Sequence, residues 1–353
     1  MQPSKKILVG MSGGVDSSVS AALLVKQGYE VIGVYMKNWS DTKDLTGVCD
    51  WKNERRDAQR VAAQLGIPLV TLDFEKEYRN HVVDYLFHEF KTGRTPNPDV
   101  LCNKFIKFGV LLEEAKKRGI DKVATGHYAG VSHEGGAYHL MRAVDEIKDQ
   151  TYFLHQLKQN QLEHIIFPLQ AIKKQDVKKD ARELGFANAD KKESMGICFV
   201  GPVSMREFLG TRIKPRPGRV VTSVGDVVGE HDGLPFYTLG QRYGAVQRGG
   251  QEPLYVVAKD KQRNILIVGG ENDPLLFKKD VFLKGVNWIP RKPALPFKCL
   301  ARFCHGGHLN KVAVFGKLKG IQVVFKESQR ALTPGQFLVF YNNYECLGGG
   351  VIQ

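Results

Sequence analysis

Two cysteines in unlike surroundings are the residues with the clearest capacity for chemistry. Cys102 follows Asp99-Val100-Leu101 and precedes Asn103-Lys104, where a helix is predicted to begin. A helix N-terminus and a neighbouring ammonium group both favour the thiolate, which is the reactive form of cysteine. Asp99 could exchange a proton with a nearby thiol or base. The segment therefore predicts a nucleophilic thiol with an acid–base partner.

Cys198 lies in Gly-Ile-Cys-Phe (196–199), and a lone cysteine in such an apolar segment is usually a small buried hydrophobe. Its own neighbours therefore favour a structural role. The remaining cysteines show no Cys-x-x-Cys spacing, which is the spacing typical of zinc sites. We interpret all of these as structural: Cys49, Cys299, Cys304 and Cys346.

A run of small residues predicts a phosphate-binding loop between the first strand and the first helix. Small residues let backbone N–H groups approach an anion, and the helix N-terminus adds partial positive charge. The run lacks the Gly-Lys-Ser/Thr ending of a Walker sequence and the glycine spacing of a dinucleotide fold, which argues against kinase-like transfer and hydride transfer. Its residues are Gly10, Met11, Ser12, Gly13, Gly14, Val15, Asp16 and Ser17.

Three residues in or near this loop are candidates for specific contacts with a nucleotide. Asp16 would face a bound triphosphate, and a bridging Mg²⁺ would offset the repulsion; the alternative is that Asp16 caps the helix. Met36 ends a predicted strand and Gly126 follows another, at the sheet edge where doubly wound folds bind nucleotides. The alternatives are an ordinary core methionine and a turn glycine.

These residues are carried by a chain whose first half alternates strands and helices. With 353 residues, 42% of them hydrophobic, the chain is long enough for roughly two or three packed domains. The alternation predicts a parallel sheet with crossover helices. The stretch 92–100 contains Pro96 and Pro98 and is predicted to be a loop. The predicted strands are Lys6–Gly10, Glu30–Met36, Pro68–Asp73 and Lys122–Thr125, and the predicted helices are Ser17–Gln27, Lys52–Leu65, Glu77–Lys91, Lys104–Arg118 and Ala171–Leu184.

Beyond residue 201 the helical periodicity ends, and short segments separated by Gly and Pro predict β-rich units. The formal net charge of +14 favours nucleic acid as a partner, against the alternative of merely solvated lysines. No segment reaches the ~20 apolar residues of a membrane helix, and no targeting segment precedes the first strand. We therefore expect a cytoplasmic protein with no membrane partner. On the last predicted helix we expect exposed basic residues, facing solvent or RNA: Lys173, Lys174, Lys178, Lys179 and Arg182.

Several longer strings resemble the bacterial-type tRNA-specific 2-thiouridylases over essentially the whole chain. Ser-Gly-Gly-Val-Asp-Ser (12–17) is similar to the pyrophosphate loop (PP-loop) of ATP pyrophosphatases. Four positions depart from the residues usual in the family: Glu193, Thr151, Tyr243 and Gly130. These departures bear on the RNA contacts and not on the chemistry. The other matching strings are Met-Lys-Asn-Trp (36–39), Thr-Pro-Asn-Pro-Asp (95–99), Leu-Cys-Asn (101–103), Thr-Gly-His-Tyr-Ala (125–129), Lys-Asp-Gln-Thr-Tyr-Phe-Leu (148–154), Gly-Ile-Cys-Phe (196–199), Gly-Gln-Arg (240–242), Thr-Pro-Gly-Gln (333–336) and Leu-Gly-Gly-Gly (347–350).

The resemblance implies an α/β fold in three parts. A PP-loop catalytic domain with a doubly wound parallel sheet would span 1–203, a small β-rich central domain 204–273, and a tRNA-contacting C-terminal β-barrel 274–353. The implied activity is ATP-dependent replacement of the 2-oxygen of the wobble uridine of tRNA by sulfur, with AMP and pyrophosphate as further products.

The resemblance also assigns roles to individual residues. Cys198 would carry a persulfide, Cys102 would be the nucleophile and Asp99 an acid–base group. ATP, with Mg²⁺, would bind at Gly10–Ser17, Met36 and Gly126. Taken singly, a loop histidine or an exposed lysine or arginine has a simpler structural explanation. The residues that match tRNA-contacting positions are Asn97, Pro98, Asp99, His127, Lys148, Asp149, Gln150, Arg302, Phe303 and Gln336.

The implied chemistry begins when the uridine 2-oxygen attacks the α-phosphate of ATP, which makes AMP the leaving group. Sulfur arrives from an upstream sulfur-relay protein as a persulfide on Cys198. It either attacks the ring directly or leaves as hydrosulfide when Cys102 attacks, which forms a Cys102–Cys198 disulfide. Two alternative functions are an adenylating synthetase for a small carbonyl substrate, which needs neither cysteine, and a non-catalytic RNA-binding protein.

Overall fold

The structure is a computed structural model that describes residues 5–40, 50–191, 204–244 and 252–353. Cys49 and Cys198 therefore lie outside the described residues. None of the helices in these four stretches combines the length and the apolar character that crossing a bilayer requires.

A five-stranded parallel sheet organises the N-terminal part of the chain. Its strand order is β3-β2-β1-β4-β7, so the chain runs outward from β1 in one direction and then returns to the other side of β1. This reversal creates a crevice at the carboxyl ends of β1 and β4, where doubly wound folds bind ligands. The strands are β1 (Lys6–Gly10), β2 (Glu30–Lys37), β3 (Leu69–Asp73), β4 (Lys122–Ala124) and β7 (Ile165–Ile166).

Helices cover both faces of the sheet because its strands are apolar on both sides. Along β1, Ile7 and Val9 point into one core cluster and Leu8 into another, as the two-residue period of a strand requires. The helices of the first face are α1 (Val15–Lys26), α2 (Asp50–Leu65) and α9 (Lys174–Glu183). Those of the second are α3 (Glu75–Tyr78), α4 (Asp84–Lys91), α5 (Pro98–Leu101) and α6 (Leu111–Lys117).

The four helices of the second face form two longer rods. A wide π-helical segment, Arg79–Val83, joins α3 to α4, and a second one, Cys102–Val110, joins α5 to α6. The second rod therefore begins at Pro98, so the loop prediction for 92–100 is wrong for its last three residues. A proline fits the first turn of a helix, where its missing N–H has no partner to bond, and Asn97 caps that turn.

Two β-rich units follow the parallel sheet. After α10 (Met205–Gly210), the central unit is a five-stranded sheet of order β10-β11-β12-β8-β9. Its strands are β8 (Gly218–Thr222), β9 (Val227–His231), β10 (Arg242–Tyr243), β11 (Leu254–Asp260) and β12 (Ile265–Gly269), and short 3₁₀ turns cover Leu234–Phe236 and Pro274–Leu276.

The C-terminal strands close into a barrel, because β13 pairs with both β16 and β18. A hairpin from the N-terminal part, β5 (Ala129–Glu134) and β6 (Ala137–Arg142), extends the barrel sheet by pairing with β18. The short helices α7 (Thr151–Leu154) and α8 (Gln159–Leu162) follow this hairpin. The predicted three-part α/β and β architecture is confirmed, whereas the hairpin that joins the parts was not predicted. The barrel strands are β13 (Phe277–Trp288), β14 (Phe297–Arg302), β15 (Asn310–Lys317), β16 (Gly320–Arg330), β17 (Phe337–Tyr341) and β18 (Glu345–Ile352).

Candidate functional site

The glycine–serine loop lies in the crevice between β1 and β4. The Met11 N–H donates to the Val34 carbonyl at 2.8 Å, which keeps the chain beside β2 before it turns into α1. The hydroxyls of Ser17 and Ser18 both donate to the Gly14 carbonyl at 2.9 Å and tighten the first turn. The exposed loop atoms and the N-terminus of a twelve-residue helix therefore face the same crevice.

Gly126 packs directly on this helix start. A Cβ at this position would lie 2.7 Å from both the Asp16 carbonyl carbon and the Ser17 nitrogen, so only glycine allows the approach. Met36 is buried on the other side of β1, and its methyl group would lie 3.4 Å from a Cβ on Gly10. The structure thus brings together all the residues predicted for the nucleotide site.

Asp16 is held by two residues that were not predicted for the site. Lys174 on α9 donates to its carboxylate oxygens at 2.6 and 2.8 Å, and the Tyr128 hydroxyl donates at 2.8 Å. The expectation that Lys174 is exposed is wrong, since its side chain retains 12% of its exposure. The capping alternative for Asp16 finds no support either, because Gly14 is the N-cap residue and its turn has no side-chain cap.

Two residues that follow α9, Asn188 and Lys191, contact the loop and the neighbouring helix α2. The Asn188 amide donates to the Gly13 carbonyl and to the Ser18 hydroxyl, both at 3.0 Å. Lys191 forms an ion pair of 2.9 Å with Asp57 of α2. Sequence reasoning missed Asn188 because a single asparagine 175 positions from its partner carries no local signal.

Cys102 and Asp99 share the first turns of the rod that begins at Pro98. The Asn97 side chain accepts a hydrogen bond of 3.1 Å from the Asp99 N–H and so caps this start. Cys102 has no exposed surface and belongs to the same buried cluster as Met36. The thiol lies inside a helix that begins four residues earlier, at Pro98, so Cys102 does not receive the predicted stabilisation of a thiolate at a helix N-terminus.

Lys104, the predicted neighbour of the thiol, contacts Gln156 and Phe105. Its ammonium donates to Gln156 at 3.3 Å and lies 5.2 Å from the centre of the Phe105 ring. Burial lowers the pKa of Lys104, and the nearby Lys158 lowers it further. The cation beside the cysteine is thus less firmly protonated than an exposed lysine.

Two residues predicted to contact tRNA form a buried ion pair between the catalytic part and the barrel. The Arg302 guanidinium donates to the Asp149 carboxylate, and their side chains retain 3% and 0% of their exposure. Asp149 also accepts from the Thr151 hydroxyl at 2.9 and 3.0 Å. Arg302 lies 4.6 Å from the centre of the Tyr341 ring. A direct RNA contact for either residue stays a prediction.

The other residues predicted to contact tRNA lie in different settings. His127 is buried between two phenylalanine rings, and this burial holds its pKa well below the ordinary value. Lys148 lies in a partly exposed turn, whereas the Gln150 side chain accepts from the Tyr128 N–H at 3.0 Å. Phe303 packs against Phe325 inside the barrel. Gln336 donates to the backbone carbonyls of Thr95 and Pro96.

The site combines a glycine–serine loop in the crevice of a doubly wound sheet with a helix that carries Asp99 and Cys102, and two β-rich units follow in the chain. These features define a nucleotide-binding α/β protein with appended β domains. Profiles of known families match the chain in the same order. They are described as the tRNA methyl transferase HUP domain (5–202), the tRNA methyl transferase PRC-barrel domain (206–270) and the aminomethyltransferase β-barrel domain (278–352).

Curated relatives match over nearly the full length. The tRNA-specific 2-thiouridylase MnmA 2 of Geobacillus kaustophilus is 49% identical over 352 residues, which cover 99% of this chain and 94% of the relative. A tRNA-specific 2-thiouridylase MnmA of Streptococcus agalactiae is 48% identical over 355 residues, with 99% and 95% covered. The chain belongs to this 2-thiouridylase family. Among solved structures, an NMN synthetase from Francisella tularensis aligns with a TM-score of 0.35 and 18% sequence identity. The alignment covers 54% of this chain and 67% of the synthetase.

Proposed function

We propose that this protein is a tRNA-specific 2-thiouridylase that uses ATP to replace the 2-oxygen of the wobble uridine by sulfur. The observation that carries the proposal is 49% identity to a 2-thiouridylase over 99% of the chain. The site residues named above are compatible with it. The family profiles bear the name of a methyl transferase, so the assay has to identify the modified base itself.

ATP is the substrate that the glycine–serine loop would hold. The backbone N–H groups after Gly10 and the Ser12 and Ser17 hydroxyls are suited to phosphate oxygens, and Gly126 leaves room beside them. Asp16 would supply a carboxylate to a phosphate-bound Mg²⁺, which commonly takes one or two carboxylates from a protein. In this structure Lys174 balances the charge of that carboxylate, and we propose that its ammonium turns toward the phosphates when ATP binds.

Sulfur chemistry is assigned to Cys102 and Cys198, with Asp99 as the proton-handling group. Support for Cys102 comes from its place in one buried cluster with Met36, on the same face of the sheet as the end of β2. A water-poor setting protects a persulfide and an activated base from hydrolysis. Cys198 lies outside the described residues, so its role rests on the family resemblance of its segment.

Partners and organisation complete the proposal. The net charge of +14 suits tRNA, and the persulfide on Cys198 requires a protein donor from a sulfur relay. We also propose the division into 1–203, 204–273 and 274–353, and a cytoplasmic location. The predicted contacts of Asn97, Pro98, His127 and Lys148 with the RNA belong to this proposal.

The test is sulfur transfer to unmodified tRNA with ATP, Mg²⁺ and a persulfide donor, read by mass spectrometry of the nucleosides. We expect 2-thiouridine with the wild type and none with Cys102→Ser or Cys198→Ser. Cys299→Ser, a half-buried cysteine of the barrel, is the matched control and should retain activity.

Two results would count against the proposal. A methylated base in place of 2-thiouridine would favour the activity in the name of the family profiles. Formation of AMP without any thionucleoside, at saturating donor, would favour an adenylating synthetase with a small carbonyl substrate.

A further inference from the structure

The segment just before the catalytic helix is held by residues from all three parts of the chain. This catalytic loop, residues 92–97, connects α4 to the helix start that carries Asp99 and Cys102. Its own domain contributes Glu89, which is 3% exposed and forms a two-pronged ion pair with Arg94, with one bond of 2.7 Å. A buried carboxylate thus holds the loop at Arg94.

The central unit holds the same loop from a second direction. The Lys261 ammonium donates to the Thr92 carbonyl, and the hydroxyls of Thr95 and Thr238 lie 3.4 Å apart. A cavity of about 350 Å³ lies beside these contacts, lined by residues of all three parts including Arg94, Lys261 and Pro334. The loop therefore lies where the three parts of the chain meet.

The barrel holds the loop through the turn Thr333–Gln336, which makes three hydrogen bonds to its backbone. The Thr95 N–H donates to the Pro334 carbonyl at 2.9 Å. The Gln336 amide nitrogen donates to the carbonyls of Thr95 and Pro96 at 3.0 and 3.3 Å. Gly335 has a φ of +95°, and a Cβ there would lie 2.9 Å from the Thr95 nitrogen. The barrel turn thus bonds to the backbone on both sides of the Thr95–Pro96 peptide.

This contact bears on the chemistry because little chain separates it from the reactive groups. Asn97 follows Pro96 directly and caps the helix start by accepting from the Asp99 N–H at 3.1 Å. A shift of the Pro96 carbonyl would move this cap, and with it the first helical turns that carry Asp99 and Cys102. Small displacements of catalytic groups are costly, since a shift of ~1 Å can reduce a rate about 100-fold.

We propose that Gln336 is a positioning residue, which holds the catalytic loop from the barrel and so sets the placement of Asp99 and Cys102. The family resemblance assigns Gln336 to tRNA contact, which is a different role. In our proposal the barrel acts on the catalytic centre before any RNA is bound. The inference rests on the proposed function only where sulfur transfer is the readout.

The main test replaces the amide by a carboxylate of the same shape, Gln336→Glu, which turns the two hydrogen bonds into repulsions. We expect kcat for sulfur transfer to fall between about 10-fold and 100-fold while KM for tRNA changes less than about twofold. Gln329→Glu is the matched control, because Gln329 is another barrel glutamine whose amide donates to a backbone carbonyl, at 2.9 Å. It should leave both parameters unchanged.

A second readout needs neither tRNA nor ATP. Cys102 is fully buried, so its alkylation by iodoacetamide depends on opening of the loop and helix start. In a Cys198→Ser background, Gln336→Glu should speed alkylation of the Cys102 peptide about tenfold, as measured by mass spectrometry. Gln336→Met, which removes the donors without adding charge, should also speed alkylation of Cys102. It provides the test if Gln336→Glu does not fold.

The proposal is overturned if either Gln336 variant raises KM for tRNA at unchanged kcat and leaves the alkylation rate of Cys102 at the wild-type value. Gln336 would then be an RNA contact only. If the wild-type protein shows no sulfur transfer, the proposed function fails, and the alkylation rates alone still decide the positioning role.

Discussion

Replacing Arg302 by methionine should destabilise the barrel strongly, because it leaves the Asp149 carboxylate in a fully buried position without its main counter-charge. Breaking a buried ion pair by removing one partner costs ~3–5 kcal/mol. Asp149 keeps the Thr151 hydroxyl at 2.9 Å and Arg142 at 3.5 Å as donors. We therefore expect the lower end of the range, about 3 kcal/mol of unfolding free energy.

The assay is urea unfolding followed by the fluorescence of Trp288, which stacks on Phe340 inside the barrel with ring centres 5.2 Å apart. A Trp39→Phe, Trp51→Phe background makes Trp288 the only tryptophan, since the chain has 3. Arg291→Met is the control, because Arg291 is an exposed arginine of the same barrel. It should change the unfolding free energy by less than about 0.5 kcal/mol.

The double variant Asp149→Asn, Arg302→Met separates the ion pair from the packing of the two side chains. It should be less destabilised than the sum of the single variants by about 2 kcal/mol, since neither charge is then left buried alone. A stabilising role of Arg302 is refuted if Arg302→Met lowers the unfolding free energy by less than about 1 kcal/mol and instead weakens tRNA binding. Arg302 would then serve RNA contact, as the family resemblance implies.

Three further predictions concern the nucleotide site and the junction of the domains. Lys174→Met should weaken ATP binding about tenfold by calorimetric titration, because the site loses the ammonium that we propose turns toward the phosphates. Lys179→Met, at an exposed lysine of α9, should not. Gly126→Ala should abolish ATP binding in the same titration, whereas Gly210→Ala, with no atom within 4 Å of the added Cβ, should retain it. Burial lowers the pKa of Lys259 from 10.5 to about 8. Between these two pH values the unfolded state binds the lysine proton more strongly than the folded state does, so the unfolding free energy rises as the pH increases. Lys259→Met should therefore raise the unfolding free energy near neutral pH by on the order of 3 kcal/mol. In urea titrations this gain should vanish near pH 10.5. A gain of the same size at high pH would contradict a pKa lowered by burial.

Local features of the sequence were sufficient to predict the frame of the catalytic part. The alternation of apolar strands with helices predicted β1 to β4 and the helices between them, and the run from Gly10 to Ser17 predicted the phosphate loop, because both depend on neighbouring residues and short-range geometry. The prediction is wrong at Pro98, where the two prolines indicate a loop but a helix begins. The side-chain cap by Asn97 and the tolerance of helix starts for proline explain that difference.

The partners of the reactive groups depended on the tertiary structure. Lys174 meets Asp16 across 158 positions, Arg302 meets Asp149 across 153, and Gln336 meets Thr95 across 241. No period or local propensity encodes such pairs, since they form only when separate elements pack against each other. The sequence by itself determined which residue types were available for phosphate and sulfur chemistry. The packing of three domains around one loop decided which side chains hold them in place.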